Sequence, residues 1–292
     1  MSKIKIREKK DGAIRDFDLH SPKVKILCAI IIIVCLLIFI VCVFPAIWVL
    51  LVGFKDLKEF RKSATIFPTS YDFAKMQKTW NQLKFYKYYF YSGISVAGSV
   101  VCAVIFNGLL AYVIGVMKPK GYKIAYGLVM WSLLIPATTS IVSVVRNINI
   151  IGLQGSFLPL WLSFGANAFY VVLFKEFFEK LPQEIMEAAK LDGCGPLQIF
   201  MKIVIPMSRP IIMVVAIFSL TAAWSDFLLP YLVLNGSGKE TVMVKLFAFK
   251  DTPTDAVSVL RAVLFSIIPP TILFALFQKQ ITDGAANGGV KG

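Results

Sequence analysis

Residues 26–54 carry no charge, although Lys25 and Lys55 stand at the two ends. A helix rises about 1.5 Å per residue, so about 20 apolar residues cross the ~30 Å hydrocarbon layer of a bilayer. This run is long enough, and further apolar runs follow at 88–117, 124–145, 157–174, 207–229 and 259–277. A mean hydropathy of +0.73 and a hydrophobic share of 57% sit far from ordinary soluble composition. The expectation is an all-α membrane protein with six transmembrane helices in one domain over residues 26–280. A basic N-terminus at 1–25 and a tail at 281–292 would flank it.

The N-terminal segment holds Lys3, Lys5, Arg7, Lys9, Lys10, Arg15, Lys23 and Lys25. Basic residues followed by an apolar run also describe a signal peptide. This run is too long for one, and no small-residue cleavage pattern closes it. A retained first span, kinked at Pro45, is expected. The last residues, 284–292, are rich in glycine and alanine and are expected to be mobile unless a partner holds them.

The net charge of +14 would point to nucleic acid in a soluble chain. Here lysines flanking membrane spans account for it, and no nucleic-acid module is present. Cys28, Cys35, Cys42, Cys102 and Cys194 form no paired metal spacing. The first three are seven apart and fall on one stripe of the first span, where they read as small packing residues. His20 is the only histidine, which leaves no metal ligand set and no serine–histidine site within the spans. Gly238-Lys239 is followed by Glu240 and lacks the earlier glycine of a phosphate loop, so the chain should not hydrolyse ATP by itself. Neither a catalytic residue, nor a metal site, nor a cofactor is expected in this chain.

Charges are scarce inside the spans, where each costs at least ~2.5–3.5 kcal/mol. That weighs against an ion-coupled secondary transporter. Asp226 is the nearest case, about 17 residues and so roughly 25 Å of helix beyond Arg209. Two readings stand side by side, an acid capping a helix end or a gate and substrate residue. Asn107, Asn167, Thr221, Trp224 and Asp226 are the candidates for a substrate pathway. Thr138, Thr139, Ser140, Ser163 and Ser225 are further neutral polar residues, and Trp131, Trp161 and Tyr170 further aromatic faces. A sugar needs hydroxyl and amide partners together with aromatic faces. The same residues also serve as glue between helices and as interfacial belts.

Residues 181–210 form an amphipathic, charge-bearing island between two apolar runs. Pro182 suits the first position of a helix and Glu184 its first turn. At about 100° per residue, Ile185, Ala188, Ala189 and Asp192 share one face, thin enough for close packing. Glu184, Glu187 and Leu191 lie on the other. Gly193 stands where the helix should end, in the left-handed cap conformation. Gly195-Pro196 starts a second helix, and Pro206 and Pro210 suit a bend back into the membrane.

The order Glu187-Ala188-Ala189, three residues, Gly193, nine residues, Ile203, one residue, Ile205-Pro206 resembles the EAA loop of ABC importer permeases. In that family the loop is cytoplasmic and seats in a groove of the ATPase subunit. The resemblance implies ATPase coupling through Glu187, Ala188, Ala189, Asp192 and Gly193; Cys194 replaces a more usual alanine. Thr221-Ala-Ala-Trp224-Ser-Asp226-Phe-Leu-Leu-Pro230 is similar to a Trp-Asn-acid-Phe stretch of carbohydrate-uptake permeases, with Ser225 in place of Asn. The loop at Asn235, Gly236, Ser237 and Gly238 resembles the outer loop that reaches the solute-binding protein in maltose-type permeases. The ending Gly288-Gly289-Val290-Lys291-Gly292 is similar to that of the same subfamily.

These resemblances imply a type I ABC importer permease architecture. The partners would be a second permease, two ATPase subunits that bind ATP-Mg, and an extracytoplasmic solute-binding protein. A non-sugar solute is the alternative within the family. An even number of spans puts both termini on one side. The basic turn at 118–123 argues for the cytoplasm, while eight Lys and Arg between Phe54 and Lys87 argue the other way. The resemblance of 181–210 to a cytoplasmic loop breaks the tie, with both termini inside a bacterial cytoplasmic membrane.

Overall fold

The computed structural model describes residues 22–62, 65–249 and 254–289. His20 and most of the basic N-terminus therefore lie outside the described residues, as do Val290, Lys291 and Gly292. The chain is helical, with no strand among the described residues. In order come α1 (Pro22–Gly53), α2 (Leu57–Lys62), α3 (Phe73–Gln82), α4 (Phe85–Tyr112) with a π turn at Val113–Met117, α5 (Tyr122–Ser132) and α6 (Ile141–Ile150). Then follow α7 (Leu158–Gly165), α8 (Ala168–Phe178), α9 (Gln183–Leu191), α10 (Pro196–Ile199) with a π turn at Phe200–Val204, and α11 (Ile205–Met207). The last are α12 (Arg209–Ser225), α13 (Leu228–Leu234), α14 (Val242–Ala248) and α15 (Ala256–Gly289).

Three unbroken helices are long and apolar enough to cross a membrane, at Val24–Gly53, Phe85–Met117 and Ala256–Gln278. Two more crossings qualify only as bent pairs, α7 with α8 at 44° and Pro196–Met207 with α12 at 83°. The expected span at 124–145 is not one helix. α5 stops at Ser132, Pro136 takes φ −59° and ψ 128°, and a 3-10 turn at Ala137–Ser140 leads into α6. Proline lacks an N–H and pushes the residue before it out of the helical region, which breaks the run. The expected fifth run also ends early, at Ser225, because Asp226 is extended. α1 continues through Pro45 as one helix, and α15 continues to Gly289. Cys35 and Cys42 are exposed on α1 and not packed within the chain as expected, whereas Cys28 is partly covered.

α4 lies at the centre, packed against α7, α8 and α12. Its buried residues include Ser92, Ser95, Ser99, Ala103, Asn107, Gly108 and Ala111. Apolar attraction does not separate helices from lipid, so close backbone approach through small residues holds such a bundle. Gly98 shows how close: a Cβ there would stand 2.2 Å from Cε2 of Trp161 on α7.

The 44° bend between α7 and α8 leaves Phe164 C=O and Asn167 N–H without helical partners. Asn107 on α4 supplies both. Its Nδ2 donates to Phe164 O at 2.8 Å and to Ala103 O at 2.7 Å, while its Oδ1 accepts from Asn167 N at 2.9 Å. Asn107 is wholly buried.

A second knot holds the end of α1, of which only Val52 and Gly53 are buried. The final carbonyls of a helix have no internal donor. Arg261 on α15 provides one, with Nε donating to Gly53 O at 2.7 Å and an Nη to Lys55 O at 2.9 Å. Its other Nη donates to Thr79 Oγ1 on α3 at 3.0 Å.

Each buried group left unpaired costs about 1–3 kcal/mol. Arg261→Met should therefore lower the melting temperature in detergent, and Arg261→Lys should recover only part of it, because an ammonium lacks the planar fork. Asn107→Leu should lower it comparably. Unchanged melting of both Met and Leu variants would show that these knots do not hold the bundle.

Candidate functional site

α9 begins one residue later than expected, with Pro182 at the cap and Gln183 as its first helical residue. Glu184 in its first turn and Lys190 in its last both complement the helix dipole. Gly193 takes φ +81°, as expected. Cys194 N donates to Ala189 O at 2.9 Å and Gly193 N to Lys190 O at 3.1 Å. This pair of bonds is the Schellman closure, which needs a left-handed residue at the glycine position. Gly195 N then donates to Gln198 Oε1 at 3.1 Å, opening α10.

The face of α9 that enters this chain's own core is set by Met186 and Ala189. Met186 and Ala189 enter the core beside Phe178, Ile199, Phe200 and Val204, whereas Ile185, Ala188 and Asp192 are exposed. The long Met186 side chain reaches the core, and it rotates the helix so that only one of the two alanines packs. Glu187, Ala188 and Asp192 therefore stand together on the outer side with Leu191, which is 90% exposed. Leu191 is thus an exposed apolar residue next to the exposed carboxylates of Glu187 and Asp192. Leu197 on α10 and Met201 in the π turn are also exposed, at 64% and 57%. The sequence reading had Leu191 on the Glu184–Glu187 side but gave it no role; an apolar residue on a charged face was the signal.

Just ahead of α9, the Glu179 carboxylate accepts from Lys175 Nζ at 2.8 Å and pairs with Lys118 Nζ at 3.3 Å. Burial alone would raise its pKa, but the hydrogen bonds and charges of Lys175 and Lys118 outweigh this and hold it below the ordinary carboxylate value.

The pathway candidates do not converge on one site. Asn107 spends its amide on the α7–α8 break, and Asn167 caps α8 by accepting from Tyr170 N at 3.2 Å. Thr221 Oγ1 donates to Ile217 O at 2.9 Å, and the residue is exposed on α12. Trp224 Nε1 donates to Ser266 O at 3.1 Å, and its ring meets Tyr89 edge-on at 5.5 Å, tying α12 to α15 and α4. Asp226, extended and partly covered, is the link between α12 and the residue that caps α13.

The 235–240 loop is short and preorganised. Gly236 and Gly238 take φ +76° and +77°. Ser237 N donates to Leu234 O at 3.0 Å, and Gly238 N to Glu240 Oε1 at 3.1 Å. The loop also rests on the turn after α6. Gly155 N donates to Val233 O at 2.9 Å, Gln154 Nε2 to Leu232 O at 2.7 Å and Lys239 Nζ to Gly155 O at 3.2 Å. Asn235, Gly236 and Ser237 form its exposed tip. Gln154 and Gly155 were not singled out from sequence, since their partners lie about 80 residues away. Among the described residues no cluster of three or more His, Cys, Asp or Glu is arranged to hold a metal ion.

Comparison with known proteins gives this geometry a family. The family described as "Binding-protein-dependent transport system inner membrane component" matches residues 19–284. The diacetylchitobiose uptake system permease protein NgcG of Streptomyces coelicolor is 26% identical, over 94% of this chain and 89% of its own. The melibiose/raffinose/stachyose import permease protein MelC of Bacillus subtilis is 27% identical, over 85% of this chain and 92% of its own. Among solved structures, a bacterial ABC transporter involved in the import of the acidic polysaccharide alginate has a chain with the same fold. The TM-score is 0.78 at 20% identity, covering 89% of this chain and 98% of that one. The residues matched run from the start of α1 almost to the end of α15, and the chain belongs to the binding-protein-dependent transport system inner membrane component family.

Proposed function

We propose that this chain is one permease subunit of a bacterial type I ABC importer, forming half of the translocation pathway for a sugar or oligosaccharide. The other half comes from a second permease. Two ATPase subunits bind ATP-Mg and a solute-binding protein delivers cargo on the outer side. The family match supports the transport role. The relatives named for diacetylchitobiose and for melibiose, raffinose and stachyose support the sugar class. The chain itself performs no catalysis and holds no cofactor.

The observation that carries the reading is α9. It is anchored from behind by Met186 and Ala189, closed by Gly193, and presents Glu187, Ala188, Leu191 and Asp192 outward. That is an EAA coupling helix, docked on the ATPase. ATP-driven closure of the ATPase pair draws two such segments together and switches the cavity from inward-facing to outward-facing. Both chain termini lie in the cytoplasm with α9, and the 235–240 tip faces the binding protein. Thr221 is the pathway candidate whose exposed hydroxyl is available to a passing sugar.

The orientation predicts that reporter fusions at Lys120 and Gly193 read cytoplasm and those at Ser70 and Gly238 read outside. An outside signal at Gly193 would end the ABC reading. A second prediction concerns the outer tip. Deleting 235–239 should slow release of solute from the binding protein while leaving basal ATP hydrolysis intact; unchanged uptake and affinity would make the tip a plain connector.

The third concerns coupling. A branched residue at the left-handed Gly193 costs at least ~1–2 kcal/mol locally and re-aims the end of α9. Glu187→Lys instead opposes a basic partner, across a contact worth ~1 kcal/mol in water and more when partly buried. Both Gly193→Val and Glu187→Lys should insert in the membrane normally yet lose uptake and substrate-stimulated ATP hydrolysis. Normal transport by both would remove α9 from the coupling role.

A further inference from the structure

Lys175, Glu179 and Lys118 bring three elements to one carboxylate. Glu179 is the residue after the end of α8, and only Lys180, Leu181 and Pro182 separate it from α9. Its two oxygens are divided between Lys175 on α8, at 2.8 Å, and Lys118, at 3.3 Å. Lys175 is buried, and its Nζ stands 4.5 Å from the ring centroid of Tyr126 on α5. It also approaches the exposed carboxylate of Glu176 at 3.5 Å.

Lys118 closes the π turn at the end of α4. Its N–H donates to Val113 O at 3.0 Å, and it takes φ +47°, a left-handed conformation that disfavours any residue with a Cβ. Gly115 in the same turn lets α8 come close; a Cβ there would meet Lys175 Cγ at 3.2 Å and Glu179 Cγ at 3.5 Å. On the other side, Leu181 packs into the same core as Met186 of α9.

We propose that Glu179 is the joint that carries displacement of α9 to the ends of α4 and α5. This rests on the coupling role proposed above for α9. Apolar contacts are non-directional and let helices slide, whereas charge-assisted hydrogen bonds fix distance and direction. A buried ammonium is costly without its counter-ion, so the cluster stays closed while α9 moves. α4 is the helix against which α7, α8 and α12 pack, so holding its end to α9 passes the motion to the centre of the bundle. Glu179 is a positioning residue: it touches no solute.

The test uses the full importer, with its second permease and ATPase subunits, and with the native cysteines of this chain replaced. Spin labels are placed at Ala188 on α9 and at Lys120 in the turn after α4, both exposed. Their separation is measured without nucleotide and in the MgATP–vanadate complex. The wild-type distribution should stay narrow and centred on the same distance in both states. Glu179→Gln keeps the size and removes the charge; the distribution should become about twofold wider and shift between states, while Glu179→Asp stays close to wild type. Lys118→Met cuts only the arm to α4, lies on an exposed turn, and should widen the distribution without affecting assembly. A Glu179→Gln complex as narrow and nucleotide-independent as wild type overturns the proposal, as does a wild-type distance that itself shifts on trapping. If Glu179→Gln fails to assemble, Lys118→Met decides: no widening overturns the joint. A second label pair, Ala188 with Asn235, separates the two readings. No response of that pair to MgATP–vanadate removes the coupling role of α9 itself, whereas a response with an unaltered Glu179→Gln complex removes the joint alone.

Discussion

A peptide group in hydrocarbon has no water to turn to, and the architecture of this chain follows from where its helices leave N–H and C=O groups unpaired. The helices break or end at Gly165, Ser208, Ser225 and Gly53, and each place needs partners from elsewhere. Asn107 serves the first, binding Phe164 O and Asn167 N across the bundle. Arg261 serves the last, binding Gly53 O and Lys55 O. Asn107, which resembles a solute ligand in a list of span residues, is here the group that pairs the backbone freed where α7 and α8 bend.

The bends in turn build the functional surface. α9, α10 and α11 can lie across the bundle because the chain turns through 83° at Ser208. Phe200, Val204 and Met186 then fill one core with Phe174 and Phe178 of α8. The outward side is left to Leu191, Leu197 and Met201, with Glu187 and Asp192 beside them. The buried and the exposed side chains of one short segment are thus divided between two faces.

Class and outline were legible in the sequence, because an uncharged run such as 26–54 has few ways to fold. Gly193 was legible for a similar reason: a glycine closing an amphipathic turn has a conformation only glycine takes cheaply. The span at 124–145 was misread because hydropathy measures composition, whereas Pro136 acts on backbone geometry. The apolar run at 157–174 stops just short of Lys175, although α8 carries on through it to Phe178. A carboxylate four residues on, with a tyrosine ring from α5, lets it sit buried inside the helix. Asn107 could not be assigned, since the break it serves lies 60 residues away. Which side of α9 enters the core of this chain was not read from sequence; Met186 and Ala189 take that side.

Ser208, at the turn between the crosswise segment and α12, is fully buried. The crosswise segment and α12 stand at 83° on either side of this buried serine, so a push on the side of the one reaches the other as torque about the turn as well as thrust.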